Sequence, residues 1–188
     1  AGGWLNLDDS YVLRNEVRAL AGPHVNSFGG GIYNETGGII KLNRTQVVSN
    51  TATSLYSDVG FGGGIANFGS MDLWDTLVAE NTSNSSAGGI LHSGGSAIIG
   101  RSTIAHNQAL GGNAGALQAD TGMYIANSTF SGNSARYNAG GIEISSPTPV
   151  EFEYVTITDN TGDSDGDGVG GVGGVMVYAW SSPPTVYN

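Results

Sequence analysis

The sequence predicts an all-β chain, a parallel β-helix of about six turns of about 26 residues with three short strands per turn. Three observations carry this expectation. Asn50, Asn81, Asn107, Asn133 and Asn160 recur at differences of 31, 26, 26 and 27 residues, which is the period of a solenoid turn. Counted back from these asparagines and from Asn15, the residues ten, eight, five and three places earlier form four columns that hold in all six rows. Finally, Gly pairs and β-branched residues interrupt every window before a helical face can develop.

Each row opens on small residues followed by an aliphatic, as in "GGGI" at 62–65 and "AGGI" at 87–90. A short strand there places Ile32, Ile65, Ile90, Leu117, Ile142 and Val175 in one inward column. The second strand carries the pairs Leu5/Leu7, Ile40/Leu42, Met71/Leu73, Ala97/Ile99, Met123/Ile125 and Val150/Phe152, which alternate with period two. The alternation then shifts phase once, as at a bend, before Val12, Val47, Val78, Ile104, Phe130 and Ile157 mark the third strand. Ser10, Thr45, Thr76, Ser102 and Ser128 are expected inward at that bend, with Val155 in the sixth row. The Asn closing each row suits a corner, because Asn tolerates left-handed backbone and its amide satisfies turn groups. Stacked turns lie about 4.8 Å apart, so each column becomes a ladder of like side chains. An antiparallel sandwich would not require the same residue type every 26 or so positions.

Insertions after Asn15, Asn50 and Asn160 all leave from this corner. The last contains "DSDGDG" at 163–168, the first half of a calcium loop. Alternate Asp163, Asp165 and Asp167 converge three carboxylates, Gly168 permits the turn, and Asp159 is a further candidate ligand for calcium. The twelfth position is Gly174 where an EF-hand has Glu, and no flanking helices are expected, so the loop is not an EF-hand.

Composition narrows the partners. A net charge of −10 with 12% charged residues argues against nucleic acid, which needs clustered Lys and Arg. Without Cys, disulfides and Cys-based zinc sites are excluded. No apolar run approaches the roughly 18 residues that span a bilayer, so the chain is expected not to be membrane-spanning. The outward column six places before each Asn reads Asp9, Arg44, Asp75, Arg101, Asn127, Tyr154, which predicts a rung-to-rung charge ladder. A carboxylate cluster of Asp8, Asp9 and Asp75 around Arg44 is the catalytic alternative. His24, His92 and His106 lack metal-ligand spacing and are expected at surface or turn positions. Trp4, Trp74, Tyr124, Tyr154 and Trp180 are expected outward or near the ends, where planar rings stack on sugars.

The "GGGI" openings, "NSTFSGNSA" at 127–135 and "STIAHN" at 102–107 resemble the right-handed parallel β-helix repeats of secreted bacterial surface proteins. Polymorphic outer-membrane and autotransporter-passenger proteins carry similar repeats, within the pectate-lyase-like superfamily fold. The length predicts a single β-helix domain over 1–188, and rows that start and end incomplete predict a segment of a longer array or a stacking subunit. The resemblance implies an extracellular or cell-surface scaffold, non-enzymatic, presenting corner loops for adhesion, and the incomplete end rows predict assembly end to end into fibres. A carbohydrate-active enzyme or a module for a surface glycan is the alternative on this scaffold.

Overall fold

A computed structural model describes residues 2–19, 26–54 and 60–178. Its strands stack in four long all-parallel sheets. The entry sheet contains Ile32–Asn34, Ile65–Asn67, Ile90–His92, Leu117–Ala119, Ile142–Ile144 and Val175–Val177. The long sheet contains Trp4–Asp8, Ile39–Asn43, Ser70–Trp74, Ala97–Gly100, Met123–Ala126 and Val150–Glu153. The closing sheet runs from Tyr11–Leu13 through Gln46–Val48, Leu77–Ala79, Thr103–Ala105 and Thr129–Ser131 to Thr156–Thr158. The parallel β-helix is therefore observed, and the columns are in register: Leu42 pairs Leu73, Leu73 pairs Ile99, and Val78 pairs Ile104.

Five of the six rows have one strand more than the sequence predicts. Glu16–Ala19, Thr51–Ser54, Thr82–Ser83, Gln108–Ala109 and Ser134–Ala135 form a fourth sheet just past the Asn corner. Three of these strands have only two residues, too few to display a period of two, and their inward positions Ser83, Ala109 and Ala135 are small and buried, as is Ala52 in the strand before them. A small side chain is what the narrow corner admits.

The core is the stack of aliphatic columns inside the coil, from Ile40, Leu42 and Val47 to Ile125, Phe130 and Ile142. Alternation alone cannot close a coil; the bends do so with left-handed residues. Asp9, Arg44, Asp75, Arg101, Asn127 and Tyr154 all have φ between 47° and 53°. These residues produce the phase shift seen in the sequence. The residue before each Asn does the same: Arg14, Ser49, Glu80, His106, Gly132 and Asp159 have φ between 55° and 63°. Left-handed backbone costs a non-Gly residue roughly 1–2 kcal/mol, so the ladders on either side of each bend must offset it.

The asparagine corner supplies such a ladder. The backbone N–H and Nδ2 of Asn81 both donate to Asn107 Oδ1, at 3.0 and 2.9 Å. Asn107 repeats this toward Asn133, and Asn107 Nδ2 also donates to the Val78 carbonyl at 3.0 Å. The chain of bonds is continuous from Asn15 to Asn160. The Ser/Thr column is inward, as expected: Thr45, Thr76, Ser102 and Ser128 are buried, and the Ser102 and Ser128 hydroxyls accept from the backbone N–H of Thr76 and Ser102.

Gly88 shows why the entry needs glycine. A Cβ there would lie 2.5 Å from the Gln108 backbone, closer than any real contact.

Candidate functional site

The acidic loop gathers three of its predicted ligands. One carboxylate oxygen from each of Asp163, Asp165 and Asp167 lies within 4.8 Å of the others. The local sequence explains the convergence. Asp163 has φ 55°, its carboxylate accepts from the Gly168 N–H at 3.2 Å, and Asp167 Oδ1 accepts from Val169 N at 2.8 Å. Asp159 is not in the group; its carboxylate accepts from the Thr158 hydroxyl at the preceding corner. Arg136, one turn back, donates to Asp165 Oδ2 at 2.8 Å and approaches Asp167 at 4.0 Å. A cationic side chain thus already faces the carboxylates, a feature that the loop's own spacing does not reveal.

The outward column forms the expected charge ladder. Arg44 reaches back to Asp9 at 2.7 Å and Asp8 at 2.6 Å, and Arg101 reaches Asp75 at 2.6 Å. Hydrogen bonding from Arg44 holds the Asp9 carboxyl below the ordinary carboxylate range, and Arg101 does the same for Asp75. Each carboxylate of the proposed cluster is therefore engaged by an arginine on the next rung. Arg101 also lies over Trp74, 4.9 Å from the ring centroid, and the Trp74 ring occupies the space that a side chain at Gly100 would take.

The expectation for His92 is overturned. His92 is fully buried inside the coil. Asn34 Nδ2 donates to Asn67 Oδ1 at 2.6 Å, and Asn67 Nδ2 donates to His92 Nδ1 at 2.9 Å. His92 Nε2 then donates to Thr121 Oγ1 at 2.9 Å. Burial pushes its imidazole below the ordinary value, which keeps the ring neutral and fits this single tautomer. These residues share a column, Asn34, Asn67, His92, Ala119 and Ile144, whose polar head explains the burial of a polar ring. His106 sits exposed at a corner as expected, and His24 lies outside the described residues.

Among the aromatics, Trp4 and Tyr154 are 73% and 79% exposed, whereas Trp74 and Tyr124 are half-buried. Tyr124 donates to the Glu153 carboxylate. Trp180 lies outside the described residues. Phe28, Tyr33, Phe61 and Phe68 instead form a cluster on the outer face of the entry sheet, with Phe28 and Phe68 5.2 Å apart edge to face.

The outer face of the entry sheet holds residues that the repeat pattern does not single out. Its middle column reads Tyr33, Ala66, Leu91, Gln118, Glu143, Met176. Tyr33 is exposed at one end of it, whereas Glu143 is only 5% exposed. Burial pushes the Glu143 carboxyl up to about 7, nearby Asp120 adds to this, and a hydrogen bond from Asn113 opposes it. A switch from apolar to polar along this column was the available sequence signal.

Comparison with protein-family models, with curated proteins and with solved structures gave no match. No helix among the described residues is long and apolar enough to cross a membrane.

Proposed function

We propose that the chain is a non-enzymatic extracellular scaffold, of the bacterial cell-surface type its repeats resemble, that presents corner loops for adhesion or assembly. The observation that carries this reading is the unbroken asparagine ladder from Asn15 to Asn160. It spends a buried polar residue per turn on stacking, and the outward charges are likewise engaged rung to rung. Such a surface is rigid and repetitive, and its variation is confined to loops. Exposed rings at Trp4 and Tyr154 suit a surface glycan as partner.

Calcium binding at the acidic loop belongs to the same proposal. The ion would take oxygens from Asp163, Asp165 and Asp167 in place of the Arg136 contact, and Asp159 would join only by turning from Thr158. End-to-end association of copies, edge strand to edge strand, completes it.

The test is adhesion of purified chain to a glycan array and to cells, with and without deletion of residues 162–171. Binding that depends on the loop supports the scaffold reading. Glycan cleavage that disappears in Asp9→Ala/Asp75→Ala sinks it. For assembly, light scattering at rising concentration should show growth, and a monomer throughout counts against it.

A further inference from the structure

Glu143 and Gln118 are register partners on adjacent strands of the entry sheet, with side chains on the same outer face. Glu143 Oε2 and Gln118 Oε1 are both buried, and neither has a hydrogen-bond partner. Both atoms act as acceptors, so neither can satisfy the other while Glu143 is ionised. Their orientations are fixed. Gln118 Nε2 donates to Asp120 Oδ1 at 3.1 Å, which sets Oε1 as the free pole. Asn113 Oδ1 accepts from Asn138 N at 3.1 Å, which turns the Asn113 amide group toward Glu143 and Tyr178.

The charge around this pair is one-sided. Asp120 lies close enough to act on both Glu143 and His92, and Tyr178 is itself raised by burial and by Glu143. His92 is held neutral, and no ion pair among the described residues reaches Glu143 or Asp120. The ion pairs of Lys41, Arg44, Arg101 and Arg136 lie on other aspartates. The Glu143 and Asp120 carboxylates and the free Gln118 amide oxygen are thus grouped with no ion pair to any of them among the described residues.

We propose that Glu143, Gln118 and Asp120 hold a divalent cation of the calcium class on the outer face of the entry sheet. The donors are all oxygens, two carboxylate and one amide, which suits a hard cation and excludes a soft-metal site. The two carboxylates balance the charge of the ion, and the cation gives Glu143 Oε2 and Gln118 Oε1 the partner the chain withholds. Water or backbone carbonyls complete the six to eight oxygens calcium takes.

The test removes the acidic loop first, as Asp163→Asn/Asp165→Asn/Asp167→Asn, so that any response belongs to this site. At pH 8, calcium at about a hundredfold over its Kd should raise the melting temperature of that variant by about 5 °C or more. Adding Glu143→Gln should abolish the rise. Terbium provides a second readout that does not depend on stability: its emission, excited through Tyr178, should be present in the loop variant and fall with Tyr178→Phe. A loop variant indifferent to millimolar calcium and silent with terbium overturns the proposal, and shows that protonation alone satisfies Glu143. An equal response with and without Glu143→Gln overturns it too.

Discussion

Replacing Asn107 with Ala breaks the corner ladder at its middle. Asn107 Oδ1 accepts from both the N–H and Nδ2 of Asn81, and Asn107 Nδ2 donates to the Val78 carbonyl and to Asn133 Oδ1. In Asn107→Ala the Asn107 N–H still reaches Asn133, and Asn81 Nδ2 keeps the Val47 carbonyl. The Asn81 N–H and the Val78 carbonyl lose the side-chain partner that Asn107 gave them, in a corner where Asn81 and Asn107 are fully buried. The Asn81 N–H is left unsatisfied, at about 1–3 kcal/mol. The Val78 carbonyl keeps its ladder bond in the closing sheet and loses only a second one, at about 0.5–1.5 kcal/mol. Together they should cost about 2–4 kcal/mol. Domains are stable by about 5–15 kcal/mol, so the loss is large. Asn15 is the control: it sits at the ladder's exposed edge, and its side chain only donates onward to Asn50. Asn15→Ala should cost about 1 kcal/mol or less. Urea unfolding followed by circular dichroism measures both. Equal costs at Asn107 and Asn15, or a cost at Asn107 under about 1 kcal/mol, would refute the reasoning.

Ile99→Ala, in the fully buried column, should destabilise by about 2–5 kcal/mol in the same assay. Gly100→Ala should displace Trp74, because a Cβ there would stand 2.2 Å from the indole, and tryptophan fluorescence should shift without loss of the fold. Acidity should also matter. Glu143 titrates near 7 in the fold against 4.5 as its ordinary value, so between these values the folded state binds a proton that the unfolded chain has released. Its contribution is fully present below pH 4.5 and is lost as pH rises through 7. The loss runs at about 1.4 kcal/mol per pH unit, up to about 3 kcal/mol in all. Melts in EDTA across that range should show this fall in the wild type and a flatter profile in Glu143→Gln.

The columns were legible because each is written six times, and a ladder forces like residues onto like positions. Even the left-handed bends appear in the sequence, as the phase shift before Val47 or Ile104. The fourth strand escaped because the two residues of Thr82–Ser83 or Gln108–Ala109 carry no periodicity. His92 and Glu143 escaped for a different reason. His92 points into the coil in a column otherwise made of Asn34, Asn67, Ala119 and Ile144, in which no residue type holds throughout, and Glu143 lies on the outer face, which the inward columns do not describe. The acidic loop was half legible: spacing alone brings Asp163, Asp165 and Asp167 together, whereas Arg136 reaches them from 29 residues earlier only because the coil has turned once.

The stacking itself is open to direct measurement, since the chain has no cysteine to confuse a cross-link. Asp72 and Ile98 are direct partners on adjacent rungs of the long sheet, and Lys41 pairs Asp72 from the other side. Rungs about 4.8 Å apart place Cα atoms within disulfide reach, whereas two rungs, about 9.6 Å, do not. Under mild oxidation Asp72→Cys/Ile98→Cys should close a disulfide within the chain, read by mass spectrometry, while Lys41→Cys/Ile98→Cys should remain reduced. Bridging of the second pair, or failure of the first in a folded protein, would contradict the parallel stacked coil.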